Sequence, residues 1–220
     1  MGVQATAARM SQETVAAQAM LTRFAQWQGG EPESVAADTT YGNGEFLQWL
    51  AEREITPYLR TRESAKRKNS PFYGPERFTY QPESNRYRCP AGEQLNYVGL
   101  NVRNRAHAYI GSAKRCGACS QKPQCTSGRY KYLAIHMDEL ARQRARELAN
   151  TPEFAYAQRQ RKKVEALFAE LKNQIGLRRV RLRRLKFVRE QFFLAAAAQN
   201  IKRLVRFLSP PSTPVLPATT

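Results

Sequence analysis

Apolar residues recur at helical spacing near the start of the chain, where Val15, Ala19, Met20 and Phe24 follow Ser11, a hydroxyl suited to N-capping. The pattern predicts a helix over 11–28, ended by Gly29, Gly30 and Pro32. A short run, Ser34-Val35-Ala36-Ala37, then closes on Asp38 ahead of the turn Thr-Thr-Tyr-Gly-Asn-Gly. Small apolar residues ending on a carboxylate predict a buried strand with Asp38 at its C-terminal end. Phe46, Leu47 and Leu50 predict a second helix over 45–53, and Ile55-Thr-Pro-Tyr-Leu59 a second strand whose proline favours an end or an edge.

The pattern changes at about Arg60. From there to about residue 135 the chain is rich in Gly, Pro, Asn, Arg and Tyr, with short β-like runs at 77–80, 87–89 and 107–110. All four cysteines fall here, which marks an insertion of short strands and turns. Helical spacing returns at Met137 and runs to Gln174, with a break expected at Thr151-Pro152. A basic turn over 176–186 leads to a last helix over 187–208. After Leu208, four prolines among small polar residues predict a disordered tail. The expected organisation is therefore a core segment at 1–59, a Cys-rich insertion at 60–135, a helical completion at 136–208 and a tail at 209–220. No internal repeat occurs.

Charge sharpens this picture. The 220 residues carry 36 Lys+Arg against 18 Asp+Glu, a net charge of +18, with 42% hydrophobic positions. Residues 151–208 alone hold 15 cations and 4 acids. Such an excess favours a polyanion, and nucleic acid more than a membrane surface, because no segment joins this charge to a continuous apolar face. No apolar run approaches the roughly 18 residues of a membrane span, and the N-terminus lacks a signal-peptide core. A soluble, cytoplasmic protein is expected.

Aspartate is scarce: Asp38 and Asp138 are the only two. Asp138 opens a charged helix, where attraction to the helix N-terminus accounts for it. Asp38 has two readings, a site carboxylate at a strand end or a turn-capping Asx residue. Glu165 is the second carboxylate of interest. Val164, Leu167, Phe168, Leu171 and Ile175 form an apolar helix face, and Arg161, Glu165 and Lys172 fall within about 40° of one another at its edge. By itself this is also the pattern of an ordinary i,i+4 ion pair. Together, acids from separate elements are what two-metal phosphoryl transfer requires, with magnesium suited by its preference for oxygen. Cations beside them would hold a DNA backbone.

The segments ADTTYGNGEFLQWL and RKKVEALFAELKNQIG resemble those carrying the second and third acids of DDE transposases from bacterial insertion sequences. The third acid of that family sits in a Tyr-Arg-Glu-Lys signature. Arg161, Glu165 and Lys172 keep its last two spacings, whereas the Tyr position falls on Gln158, with Tyr156 two residues earlier. The likeness runs from about Ala5 to Leu208 and includes a Cys-bearing insertion typical of one branch. It implies a mixed α/β (α+β), ribonuclease-H-like fold, Mg²⁺ or Mn²⁺ held by the catalytic acids Asp38 and Glu165, and DNA transposition and recombination as the activity. It also implies transposon ends and target DNA as partners, self-association or association with a full-length copy, and a place near the bacterial nucleoid. The family's first acid should lie on a strand well upstream of Asp38, where this sequence has no aspartate. The resemblance thus implies an incomplete catalytic domain that begins within the fold, binds DNA and does not cut it alone.

Cys89, Cys116, Cys119 and Cys125 are spaced C-x26-C-x2-C-x5-C. The Cys116-Gly-Ala-Cys119 turn suits two thiolates on one Zn²⁺, and four cysteines allow a closed tetrahedral site. Reduced, buried thiols are the other reading, since a reducing cytoplasm disfavours disulfides. A non-enzymatic zinc-containing DNA-binding protein is the alternative to the transposase reading. Lys114, Arg115, Lys122, Arg129 and Lys131 place cations around this module. Finally, Arg178, Arg179, Arg181, Arg183, Arg184 and Lys186 crowd the basic turn, with Leu182 and Leu185 expected to anchor it while the cations meet phosphate.

Overall fold

The computed structural model describes residues 10–62 and 70–209. They divide into two compact units, Met1–Pro32 with Pro152–Thr220, and Glu33–Thr151. The domain boundaries read from composition at 59/60 and 135/136 both fall inside the second unit. All but the first residue of the 209–220 tail lies outside the described residues. Among the described residues no helix is long and apolar enough to cross a membrane.

The first unit is helical. It contains α1 (Met10–Gln28), α6 (Pro152–Asn173) and α7 (Leu185–Leu208). Proline opens α6, where its missing N–H is harmless. The helix closes on Gly176, whose φ of +78° lets Leu177 N–H reach back to the Leu171 carbonyl at 2.9 Å. Between α6 and α7, Gln199 is fully buried and donates to the Leu167 carbonyl at 2.9 Å and the Glu170 carboxylate at 3.1 Å. The apolar face expected on α6 is only partly covered: Leu171 is buried, whereas Val164 and Phe168 are exposed.

The second unit combines two sheets. β1 (Ser34–Ala36) and β2 (Thr56–Tyr58) run parallel, with Ser34 opposite Thr56 and Ala36 opposite Tyr58. Between them lies α2 (Gly44–Ala51), N-capped by the Asn43 carboxamide, which accepts from Phe46 N–H at 2.8 Å. Phe46, Leu47 and Leu50 are buried, together with Ile55 and Leu59 just outside β2. Each such side chain contributes roughly 1.5–3 kcal/mol by leaving water. The helix packs against α5 (Glu139–Leu148), which buries Ala141 and Ala145.

The other sheet is an antiparallel meander of β3 (Thr79–Gln81), β4 (Arg86–Arg88), β5 (Gln94–Asn101), β6 (Ala106–Gly111) and β7 (Tyr132–His136). Two short helices, α3 (Ala113–Gly117) and α4 (Lys122–Cys125), fill the connection from β6 to β7. Phe78, Leu95, Tyr109 and Leu133 form its buried cluster. The fold class is the mixed α/β arrangement expected, consistent with an α+β ribonuclease-H-like domain. Strands β5 and β7 were not anticipated. The first is half exposed and its alternation breaks at an irregularity between Tyr97 and Gly99. The helical stretch over 137–174 breaks where expected, into two helices separated by a turn that ends at Thr151.

Candidate functional site

Asp38 stands two residues beyond β1, as its strand-end reading requires, and its side chain is committed locally. Its Oδ1 accepts from Thr40 N–H at 2.8 Å and so caps the single turn of 3₁₀ helix at Thr39–Tyr41. The turn-capping reading is thus satisfied by this geometry. Glu165 projects from α6 in the other unit, largely exposed, with Arg161 Nη2 3.0 Å from its Oε1. Arg161 also donates from Nε to Gln158 Oε1 at 3.0 Å, so the residue in the family's Tyr position orients the guanidinium. Lys172 is exposed near the end of α6.

A divalent metal pair is what the resemblance implies at these acids. The local donor sets do not fit one: Asp38 holds a backbone amide, Glu165 holds a guanidinium, and neither carboxylate is buried. Among the described residues, no group of three or more His, Cys, Asp or Glu side chains is arranged to hold a metal.

Asp138, the other aspartate, is expected to favour a helix N-terminus. It does precede α5, but its side chain makes no capping bond. It is instead buried, with Oδ2 3.4 Å from Arg105 Nη2 and 3.5 Å from His136 Nδ1. Burial lowers the His136 pKa below its usual value, the Arg142 charge adds to this, and Asp138 opposes it. The neighbouring Glu139 lies 2.5 Å from Arg146 Nη2 and 3.4 Å from Arg142 Nε. Asp138 and Arg105 are 33 residues apart, a separation that no local pattern reveals.

The four cysteines do converge. Cys89, from the turn after β4, and Cys116, Cys119 and Cys125, from α3, α4 and the link between them, line one cavity of about 30 Å³. All are free thiols, partly buried. Gly111 makes room for this cluster, since a Cβ there would lie 2.9 Å from Cys116 Sγ. Lys131 borders the cavity and is itself buried; its Nζ donates to the Tyr73 carbonyl at 2.7 Å and the Cys125 carbonyl at 3.0 Å. Burial pushes the Cys125 thiol pKa up, and Lys131 pulls it down. Lys131 loses proton affinity to burial, partly restored by Cys125.

The basic segment after α6 is open to solvent. Arg178, Arg179, Arg181, Arg183, Arg184 and Lys186 are all exposed, and no acidic partner for any of them occurs among the described residues. The expected anchoring by Leu182 and Leu185 is corrected: these side chains are 45% and 52% exposed. Gln191 of α7 holds the segment instead, its Oε1 accepting from the backbone N–H of Arg181 at 3.0 Å and of Leu182 at 3.2 Å. A polar tether satisfies the backbone where no apolar partner is at hand.

No curated protein and no solved structure matches the chain. The family model described as "Transposase DDE domain" matches residues 88–205. That span takes in the four cysteines, Glu165 and the basic segment, and leaves Asp38 outside. Members of this family act in DNA transposition and recombination and typically use divalent metals such as Mg²⁺. Covering more than half of the sequence, from the end of β4 to the last turn of α7, the match shows that this chain belongs to the transposase DDE domain family.

Proposed function

We propose that this chain serves DNA transposition as a DNA-binding protein, and that by itself it does not cleave DNA. The observation that carries the reading is the exposed run of six cations from Arg178 to Lys186, without acidic partners among the described residues. Such groups pair with phosphates and release counterions, giving affinity that falls with salt and carries no sequence information. Lys172 adds an exposed cation near the end of α6, and Arg161, paired with Glu165, lies on the same helix. What supports the absence of cleavage in this reading is that Asp38 and Glu165, the two candidates for metal binding, are each engaged by a local partner. The reading places the protein in the bacterial cytoplasm beside the DNA of an insertion sequence, acting with copies of itself or of a complete transposase.

Fluorescence anisotropy with a labelled duplex tests binding, and a supercoiled-plasmid assay with Mg²⁺ or Mn²⁺ tests cleavage. Salt-dependent binding without nicking is expected. Absence of binding at low salt would overturn the first half. Robust metal-dependent nicking that Glu165→Gln abolishes would overturn the second.

A structural Zn²⁺ among Cys89, Cys116, Cys119 and Cys125 rests on the cavity that these four thiols line, and requires them to rearrange, since in their present arrangement they are not grouped to hold a metal. Rotation about each cysteine's one side-chain torsion would have to bring the sulfurs within about 2.3 Å of the metal. About one zinc per chain by elemental analysis, lost in Cys119→Ser, is the expected result; wild-type protein purified without zinc and unable to take it up would reject the site.

A further inference from the structure

Four tyrosines lie on one face of the antiparallel sheet, each from a different strand. Tyr80 of β3 is opposite Tyr87 of β4, and Tyr97 of β5 is opposite Tyr109 of β6. Their rings form a continuous series: the centroids of Tyr80 and Tyr87 are 5.0 Å apart, Tyr87 and Tyr109 4.8 Å, and Tyr109 and Tyr97 5.3 Å. The series ends on His107, 5.8 Å from Tyr97. These rings border an open, solvent-facing cavity of about 400 Å³, in the volume range of small-molecule sites.

We propose that this cavity receives an unpaired nucleobase of DNA, a proposal that rests on the DNA-binding reading above. The ring faces supply stacking. Tyr109 is buried and gives a rigid floor, whereas Tyr80 and Tyr97 are 45% and 39% exposed and so accessible to a ligand. An exposed aromatic series on a sheet is a platform on which any base can stack, because every base has a π face.

Polar groups at the same place suit a base edge. Asn85 sits in the left-handed conformation, φ +49°, at the end of the β3–β4 turn, a position that asparagine tolerates better than most residues. There its Oδ1 accepts from the hydroxyls of Tyr80 at 3.1 Å and Tyr109 at 2.9 Å, which leaves its Nδ2 to donate elsewhere. The Tyr97 hydroxyl is 3.4 Å from His107 Nδ1, leaving the other ring nitrogen of that histidine for a ligand.

Charge selects the polyanion. Residues 75–136, which contain this sheet, hold ten Lys and Arg against three Glu. The one acid lining the cavity, Glu139, is already paired with Arg142 and Arg146. A base within a duplex hides both faces in the stack, so the occupant must be an unpaired or extruded nucleotide.

The test compares a fully paired duplex with one carrying a single bulged 2-aminopurine, both bound to the full chain. The bulged duplex should bind more tightly, with its 2-aminopurine emission quenched on binding. Tyr80→Ala and Tyr97→Ala should each weaken the bulged complex about tenfold, the typical loss of one stacking partner, and leave the paired complex unchanged. Tyr97→Phe, which keeps the ring, should retain the preference. Equal binding of the two duplexes without quenching would overturn the cavity proposal alone. So would alanine variants that stay folded by circular dichroism and lose nothing. Failure to bind either duplex would overturn the DNA-binding reading and this one with it.

Discussion

The Gln199 carboxamide of α7 donates to the Glu170 carboxylate of α6 at 3.1 Å while fully buried between the two helices. This bond lowers the Glu170 pKa below its ordinary value; burial opposes the shift, and Lys202 and Arg206 add to it. A polar clamp at this depth fixes how the helices meet, because removing the Gln199 carboxamide takes a hydrogen bond from both the Leu167 carbonyl and the Glu170 carboxylate. Gln199→Ala should destabilise the protein by about 1–3 kcal/mol in urea unfolding. Glu165→Ala, which breaks an exposed pair, should change stability by less than about 1 kcal/mol. Equal effects of the two would contradict the clamp.

Tyr109 should make stability fall in strong alkali. Burial, with the neighbouring tyrosines Tyr80, Tyr87 and Tyr97, pushes its pKa from 10.0 up to about 12. The charged form of tyrosine is the deprotonated one, so the unfolded chain ionises first. The contribution is fully present below pH 10 and is lost as pH rises from 10 to 12. The two-unit shift sets the loss at roughly 2–3 kcal/mol. Tyr109→Phe should be less stable at neutral pH, by about 1 kcal/mol for the lost bond to Asn85. Denaturant titrations at pH 8 and pH 11 should show a smaller alkaline drop in this variant; identical drops would refute the assignment.

Gly111→Ala should disturb the cysteine cavity more than the sheet. The new Cβ would meet Cys116 Sγ at 2.9 Å, and the thiol must move away from its neighbours. A cost of about 1–3 kcal/mol is expected from overpacking. Mass-spectrometric alkylation should show Cys116 reacting faster than in the parent; an unchanged rate would show that the thiol has room to yield.

The salt dependence of DNA binding should report the basic segment directly. Replacing Arg178, Arg181 and Arg183 together by alanine should lower the slope of log affinity against log salt by about 3, since each phosphate contact contributes about 0.9. Affinity should fall alike for unrelated duplex sequences. A slope that stays put would move the phosphate contacts elsewhere on the chain.

Wherever the signal is periodic and local, the sequence determines the structure. The helices at Met10–Gln28, Gly44–Ala51, Pro152–Asn173 and Leu185–Leu208 lie close to where apolar spacing and the Thr151-Pro152 break put them. The strand ending just before Asp38 and the run of arginines at 178–184 are equally legible. Tertiary structure decided the rest, because those features depend on partners distant in the chain. Leu182 and Leu185 look like anchors in a string of letters, yet burial needs an opposing apolar surface, and Gln191 does that work by hydrogen bonding. Asp138 is an ordinary helix opener in the sequence, and only the fold sets Arg105 and His136 beside it. The tyrosines were visible only as scattered residues in a turn-rich stretch. Antiparallel pairing from β3 to β6 turned them into one surface, because register, set by non-local hydrogen bonding, decides which side chains share a face.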